Sequence, residues 1–66
     1  MSSADAIGQS VRRARKENRL TQEDLAHLAG ISERTVRAIE TGSGNPSLAA
    51  VVAAAEVLGL TLATVQ

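Results

Sequence analysis

The sequence contains the same helix-start pattern twice in close succession: an apolar residue, a hydroxyl residue, a polar residue and a second apolar residue. The two copies are Leu20-Thr-x-x-Asp-Leu25 and Ile31-Ser-x-x-Thr-Val36. In each copy the hydroxyl can cap a helix, and the two apolar side chains can form a hydrophobic staple. The pattern therefore predicts one helix from Gln22 to about Ala29 and another from Glu33 to about Thr41, capped by Thr21 and Ser32.

Gly30 lies between these two helices, where the chain has to turn sharply. Such a position favours a positive φ and therefore a residue without a Cβ atom. Ala26 is small enough to let two short helices cross closely. The apolar residues that would set the crossing angle are Leu25, Ala29, Ile31, Val36 and Ile39. These features together indicate a helix-turn-helix, whose second helix has a free outer face that fits the major groove of DNA.

Two further helices are predicted on either side of this motif. Apolar residues at helical spacing predict a first helix that begins at Ser2, Ser3 or Asp5 and ends at about Asn18. After a Gly- and Pro-containing loop, Ser47 can cap a last helix that ends at Gly59. The sequence thus predicts one compact all-α domain of four to five helices over residues 1–66, with the helix-turn-helix at 21–41.

The last helix is apolar on two sides, and one small domain can bury only one of them. We assign to the core the stripe of Leu48, Val51, Val52, Ala55 and Leu58. The other side suggests a second copy of the chain, with a dimerisation region at 47–66. Residues 60–66 form either a strand that pairs with its symmetry mate or a short fifth helix capped by Thr61. The predicted dimer interface comprises Ala50, Ala53, Ala54, Val57, Leu60, Leu62 and Thr64.

The composition excludes several classes of function. The 66 residues include no Cys, Trp, Tyr or Phe. The chain therefore has no disulfide, and it has no aromatic platform on which single-stranded nucleic acid could stack. Because no apolar run could span a bilayer and the N-terminus lacks the order of a secretory signal, we expect a soluble, cytoplasmic protein.

The formal net charge is zero, from 7 basic and 7 acidic residues, but the charges are unevenly distributed. After Gly42 the only charged residue is Glu56. The basic residues all precede Gly42, and they are Arg12, Arg13, Arg15, Lys16, Arg19, Arg34 and Arg37. This asymmetry allows the basic side chains to form one face toward nucleic acid despite the neutral total.

Catalysis and metal binding are not expected. His27 is the only His and has no Cys near it, which argues against a metal site. The segment Gly42-Ser43-Gly44 lacks the preceding strand and the Lys of nucleotide-binding loops. No nucleophile, base and orienting group occur in a suitable arrangement, and a chain of this size has no room for a walled pocket. We therefore expect no enzyme activity, no cofactor and no metal.

Several sequence motifs occur at the same spacing as in a known protein family. They are Leu20-Thr21-Gln22-Glu23-Asp24-Leu25-Ala26, Ala29-Gly30-Ile31-Ser32, Val36, Ile39-Glu40-x-Gly42 and Asn45-Pro46-Ser47-Leu48. On these residues the chain resembles the Xre, or Cro/C1-type, helix-turn-helix family, which implies a lambda-repressor-like DNA-binding fold in a bacterial or phage protein associated with the nucleoid. The ending Leu58-Gly59-Leu60-Thr61-Leu62 resembles HipB-like antitoxins, in which the last residues form a strand between subunits.

The predicted recognition helix, residues 33–41, carries polar side chains on the face opposite Val36 and Ile39. The candidate base readers on this face are Glu33, Arg34, Arg37 and Ala38, with Thr41 beside them. Arg can form two hydrogen bonds with guanine, Glu can accept one from cytosine N4, and an Ala methyl can pack on thymine. The alternative is an ordinary solvated face, but the preceding turn favours contact with DNA.

Candidate phosphate ligands lie at two helix ends. Gln22 begins its helix, where free backbone N–H groups bind anions, and the family resemblance implies that this Gln holds a phosphate with Thr21 shaping the site. The resemblance also implies a second backbone contact at Ser43 and Asn45, with simple turn chemistry as the alternative. The remaining candidates for phosphate binding are Ser32, Thr35, Arg12 and Arg15.

The resemblance implies a structural ion pair between Arg15 and Glu40 that ties the first helix to the third. From all of these features we predict a dimeric repressor that binds a palindromic operator in double-stranded DNA, with the antitoxin of a toxin–antitoxin pair as one form of it. The alternative is an interaction protein that neutralises a toxin partner, with DNA binding secondary or absent. Neither hypothesis involves a membrane or a small-molecule cofactor.

Overall fold

A computed structural model of the protein describes residues 3–60, which form four α-helices. The helices are α1 (Ser3–Glu17), α2 (Gln22–Ala29), α3 (Glu33–Thr41) and α4 (Leu48–Val57). Within residues 3–60 there is no β-strand, so the predicted all-α fold is confirmed. The predicted choice between a strand and a fifth helix concerns residues 60–66, of which 61–66 lie outside the described part of the chain.

The helix starts follow from local capping. Thr21 Oγ1 accepts a hydrogen bond from the Asp24 backbone N–H at 3.0 Å, and the Thr21 N–H donates to Asp24 Oδ2 at 2.9 Å, which completes a capping box. Ser32 Oγ accepts from the backbone N–H of Thr35 at 3.0 Å. Ser47 Oγ caps α4 in the same way. Each hydroxyl satisfies a backbone donor that the first turn of a helix leaves unpaired.

Asp24 makes the stability of the protein depend on pH. Its hydrogen bonds with Thr21, foremost the one from the backbone N–H, hold the pKa of the Asp24 carboxyl below its usual value. Such a group stabilises the fold above its unfolded-state pKa, and this contribution is lost as the pH falls through the folded-state pKa. We therefore expect Asp24→Asn to be less stable than the wild type at neutral pH and equally stable in strong acid. Thermal unfolding across this pH range measures the difference, and a difference that does not change with pH would contradict the assignment.

The core lies between the helix-turn-helix and the two outer helices. Helix α1 packs on α3, while α2 packs on both α3 and α4. Leu25 of α2 and Val36 of α3 are completely buried, and Ala26 is 5 % exposed where the two helices cross. The core cluster comprises Val11, Leu25, Ala26, Val36, Ile39, Ala50 and Ala54. The position of α3 is therefore determined by side chains from all three other helices.

Gly8 brings α1 into direct contact with the backbone of α3. A Cβ atom at Gly8 would lie 2.6 Å from the carbonyl oxygen of Glu40, and it would lie closer still to that of Ile39. At distances this short, a side chain at this position would force the backbone of α1 or α3 to shift. The end of α3 is thus held against α1 by a glycine that leaves no space between the two helices.

The predicted division of α4 into two faces was wrong in part. Ala55, assigned to the core, is 2 % exposed, and Val51 and Leu58 pack against the core cluster as predicted. Leu48, assigned to the core, is 74 % exposed, whereas Ala50 and Ala54, assigned to the dimer interface, are 8 % and 0 % exposed. The small alanines let α4 lie close to the rest of the domain. Apart from Glu56 the helix is apolar all round, so its sequence carries little periodic signal to choose the buried face. The outward stripe of α4 consists of Leu48, Ala49, Val52, Ala53 and Glu56.

The other predicted interface residues divide into three groups. Val57 and Leu60 are half-buried and pack against the core cluster of their own chain. Leu62 and Thr64 lie outside the described residues. Among the described interface candidates, Ala53 alone is part of the outward stripe.

Candidate nucleic-acid interface

The turn between α2 and α3 ends one helix and begins the next within three residues. Gly30 adopts a left-handed conformation, with φ 71° and ψ 31°. The N–H of Ile31 then donates to the carbonyl oxygen of Ala26 at 3.0 Å, which closes the end of α2. The next residue, Ser32, caps α3. The chain thus passes from one helix to the next with its backbone groups satisfied.

Helix α3 has a buried face and an exposed polar face. Val36, Ile39 and Glu40 are buried. Arg34 and Arg37 are exposed on the other side of the helix, as is Glu33 at its first position. Ala38 is half-buried at the edge of this exposed face. All four candidate base readers therefore have surface that a ligand can reach.

The two arginines of α3 have different surroundings. Arg37 Nη1 donates to Glu33 Oε1 at 3.1 Å, in an ion pair between side chains that are 54 % and 44 % exposed. Arg34 forms no ion pair with any residue in the range 3–60. One exposed cation is thus paired along its own helix, and the other has no carboxylate partner in the described part of the chain.

The loop after α3 lies beside the exposed face of the helix. Thr41 Oγ1 donates to the carbonyl oxygen of Arg37 at 2.8 Å and lies 2.6 Å from Ser43 Oγ. A shallow recess joins loop and helix, and it is lined by Arg34, Thr35, Ala38, Gly44, Asn45 and Pro46. Ser43 and Asn45 are therefore close to the candidate base readers.

The loop also contains a close contact that the sequence analysis missed. Gly44 has φ 67° and its Cβ position would lie 3.7 Å from the Cβ atom of Ala38. The Gly-Asn-Pro composition of the segment predicted a turn there. This composition does not indicate that the turn folds back onto α3.

The start of α2 forms the second candidate contact with phosphate. Thr21 is exposed, and Gln22 is half-buried with its Nε2 atom 3.3 Å from Glu40 Oε1. A Gln amide has two N–H donors, so this bond leaves one for an external acceptor. Ser32 and Thr35 lie at the start of α3, where their hydroxyl oxygens are 2.8 Å apart.

Arg15 and Glu40 form a buried ion pair between α1 and α3. Arg15 Nε donates to Glu40 Oε2 at 2.6 Å, and Nη2 donates to Oε1 at 3.0 Å. The third guanidinium nitrogen, Nη1, donates to the carbonyl oxygen of Leu20 at 2.9 Å. The hydrogen bonds to Glu40 raise the pKa of Arg15 above its usual value, so the guanidinium stays charged.

The burial of Arg15 bears on its predicted contact with phosphate. The Arg15 side chain is 10 % exposed and that of Glu40 is 2 % exposed. Because all three guanidinium nitrogens bind within the chain, little of the Arg15 side chain is left exposed to a phosphate. Arg12, which is exposed one turn earlier on α1, keeps its guanidinium accessible.

The part of the chain that the structure describes contains no group of three His, Cys, Asp or Glu side chains able to hold a metal ion. His27 is exposed on α2. None of the helices within residues 3–60 is long and apolar enough to cross a membrane.

Comparison with known proteins identifies the family. Residues 11–65 match the family model described as Helix-turn-helix. The chain belongs to the Cro/C1-type helix-turn-helix family. This helix-turn-helix protein is 43 % identical over 49 residues to an uncharacterized HTH-type transcriptional regulator of Methanothermobacter thermautotrophicus, an overlap that covers 74 % of this chain and 71 % of the relative.

A second helix-turn-helix relative is the immunity repressor protein of Bacillus phage phi105. The two are 37 % identical over 59 residues, which is 89 % of this chain. The matched region covers 41 % of the phage protein. The helix-turn-helix chain described here therefore spans less than half the length of that repressor.

Proposed function

We propose that this helix-turn-helix protein is a dimeric, sequence-specific repressor that reads double-stranded DNA with α3. The observation that carries the proposal is the exposure of Arg34 and Arg37 on the outer face of a helix that follows a glycine turn. Membership in the family supports a DNA-binding regulator of transcription. Repression is supported by the phage relative, which is named an immunity repressor.

In this proposal α3 lies in the major groove and its exposed side chains contact base edges. Arg34 and Arg37 donate to guanine O6 and N7, and the Ala38 methyl packs on a thymine methyl. Glu33 accepts a hydrogen bond from cytosine N4. The half-buried position of Ala38 suits a methyl contact, because a longer side chain there would meet the loop at Gly44.

Contacts with the phosphates then fix the position of α3 in the groove. At the start of α2, Thr21 and the second amide hydrogen of Gln22 bind one phosphate. Ser43 and Asn45 bind another from the loop after α3. Further contacts to the same backbone are assigned to Ser32, Thr35 and Arg12. Their combined effect is orientation, because contacts to phosphate carry no direct sequence information.

Dimerisation is proposed to use the outward stripe of α4, which retains only Ala53 of the predicted interface residues that the structure describes. Leu48 is 74 % exposed, and Ala49, Val52 and Ala53 extend an apolar surface from it. Two copies joined there would present their α3 helices to a palindromic operator, with half-sites about 34 Å apart. Occupation of that operator would block transcription.

The antitoxin form of the proposal rests on the ending that begins at Leu58. Leu60 packs against the core of its own chain, and Thr61 and Leu62 lie outside the described residues. In this form the helix-turn-helix retains its DNA site while a further surface binds a toxin. Copurification with a kinase-like protein encoded by a neighbouring gene would support the antitoxin form, and its absence would favour a repressor without such a partner.

The test of DNA binding uses a duplex library with a random centre. We expect the wild type to enrich a palindromic sequence, and Arg34→Ala and Arg37→Ala each to bind that enriched duplex at least about tenfold more weakly. The control is Arg13→Ala, which removes an exposed charge from α1 and should weaken binding less than about threefold. Both α3 side chains are exposed, so thermal unfolding of these variants should match the wild type.

Two results would contradict the proposal. Unchanged affinity in Arg34→Ala and Arg37→Ala would exclude α3 as the reading helix. Light scattering of the complex should give two chains per enriched duplex, and one chain per duplex would exclude the dimer.

A further inference from the structure

We infer that Glu33 determines sequence specificity by holding Arg37 in an ion pair. The same carboxylate weakens the attraction of α3 for DNA of any sequence. The inference rests on the proposed function and concerns how the same helix discriminates between sequences. It assigns to Glu33 and Arg37 a joint role as one recognition unit.

The geometry of the pair leaves both groups available to a ligand. The ion pair uses Nη1 of Arg37 and Oε1 of Glu33, separated by 3.1 Å. Arg37 Nη2 and Glu33 Oε2 form no hydrogen bond with another residue in the range 3–60. A donor and an acceptor are thus presented side by side. Because the ion pair holds the two side chains next to each other, the unit can contact neighbouring base pairs, which stack about 3.4 Å apart.

The electrostatic balance of α3 gives Glu33 its effect on affinity. The carboxylate lies on the same exposed face as two arginines, in a chain whose formal net charge is zero. DNA phosphates repel Glu33 and attract Arg37. Because an exposed i,i+4 ion pair is weak, phosphates compete with Glu33 for Arg37 on any duplex.

A DNA sequence with the right base pairs opposite Glu33 and Arg37 gives both side chains a partner and so removes this competition. A cytosine amino group opposite Glu33 satisfies the carboxylate, and a guanine on the neighbouring base pair satisfies Arg37. On other sequences the carboxylate enters the groove without a donor, which is costly for a charged group that loses water. Arg34 has no carboxylate partner among residues 3–60 and therefore acts independently of Glu33.

The test compares two variants with the same charge change. Glu33→Gln keeps the shape of the side chain, but its amide both donates and accepts and so tolerates more base types. Glu17→Gln alters an exposed residue on α1. Glu17 lies about 200° around the helix from Arg15, which faces α3, so it points away from α3. Both variants raise the formal net charge by one unit.

Affinities are measured for the duplex that the wild type enriches and for a scrambled duplex of the same composition. We expect Glu17→Gln to raise both affinities by a similar factor. Glu33→Gln should raise the affinity for the scrambled duplex more, so that the specificity ratio falls about tenfold. Repeating the enrichment with Glu33→Gln should abolish the preference for cytosine at one position of each half-site.

The role of Arg37 is tested by combining variants. Glu33→Gln should lower the specificity ratio much less in an Arg37→Ala background, whereas in an Arg34→Ala background it should lower the ratio as in the wild type. If Glu33→Gln and Glu17→Gln change both affinities alike, the inference is overturned and the repressor proposal stands. If the wild type enriches no sequence at all, the proposed function fails and the inference fails with it.

Discussion

Replacing Glu40 with alanine is expected to lower the free energy of unfolding by about 3 kcal/mol. The Arg15 side chain is 10 % exposed, and Glu40 accepts two of its hydrogen bonds. Without the carboxylate, Arg15 keeps a charge that is largely removed from water and has only the Leu20 carbonyl oxygen as a partner. Leaving a buried charge uncompensated costs much more than losing a surface pair.

Urea unfolding followed by circular dichroism measures this effect, and Glu33→Ala is the matched control. Glu33 also pairs with an arginine, but its side chain is 44 % exposed. We expect this control to change the stability by no more than about 0.5 kcal/mol, as is usual for surface positions. Equal losses in the two variants would show that burial of the Arg15–Glu40 pair does not govern its contribution.

Substitution of Gly8 by alanine is expected to destabilise the protein by about 2 kcal/mol, although alanine is the better helix former. In an exposed helix interior the change would stabilise by about 1 kcal/mol. At Gly8, however, the added methyl would overlap backbone carbonyl oxygens at the end of α3, and these cannot move aside as a flexible side chain could. Overpacking of this kind costs about 3 kcal/mol when whole helices have to shift.

Gly30→Ala separates this steric effect from backbone strain. Gly30 has φ 71°, but a Cβ atom there would meet nothing within 4 Å. Gly30→Ala should therefore lower the free energy of unfolding by about 1 kcal/mol, which is the cost of placing a residue with a side chain in the left-handed conformation. Thermal unfolding of both variants gives the comparison. A Gly8→Ala protein more stable than the wild type would mean that α1 and α3 can separate freely at this point.

The starts of α2, α3 and α4 were predictable because capping is local. Thr21 and Ser32 each bond to a backbone N–H three residues further along the chain. No other part of the protein is needed to form these bonds. The outward face of α3 was predictable for a related reason, since its apolar residues recur at helical spacing and leave the arginines on the other side.

The network around Gln22 could not be derived from such local rules. Gln22, Arg15 and Glu40 come from three different helices, yet the side chains of Gln22 and Arg15 both bond to Glu40. The Arg15–Glu40 pair was suggested by family resemblance, and the contact with Gln22 was not foreseen. Side chains far apart in sequence meet only after the helices pack.

By itself, the sequence determined where the helices begin and where the chain turns between them, because hydroxyl caps and the left-handed Gly30 act within a single helical turn. The tertiary structure alone decided which side of α4 is buried and how closely α1 approaches α3. The reason is that α4 is apolar on every side except at Glu56, so the surrounding helices select Ala50 and Ala54 for the core. Gly8 resembles any helical glycine, and only the close approach of α3 makes a side chain there costly.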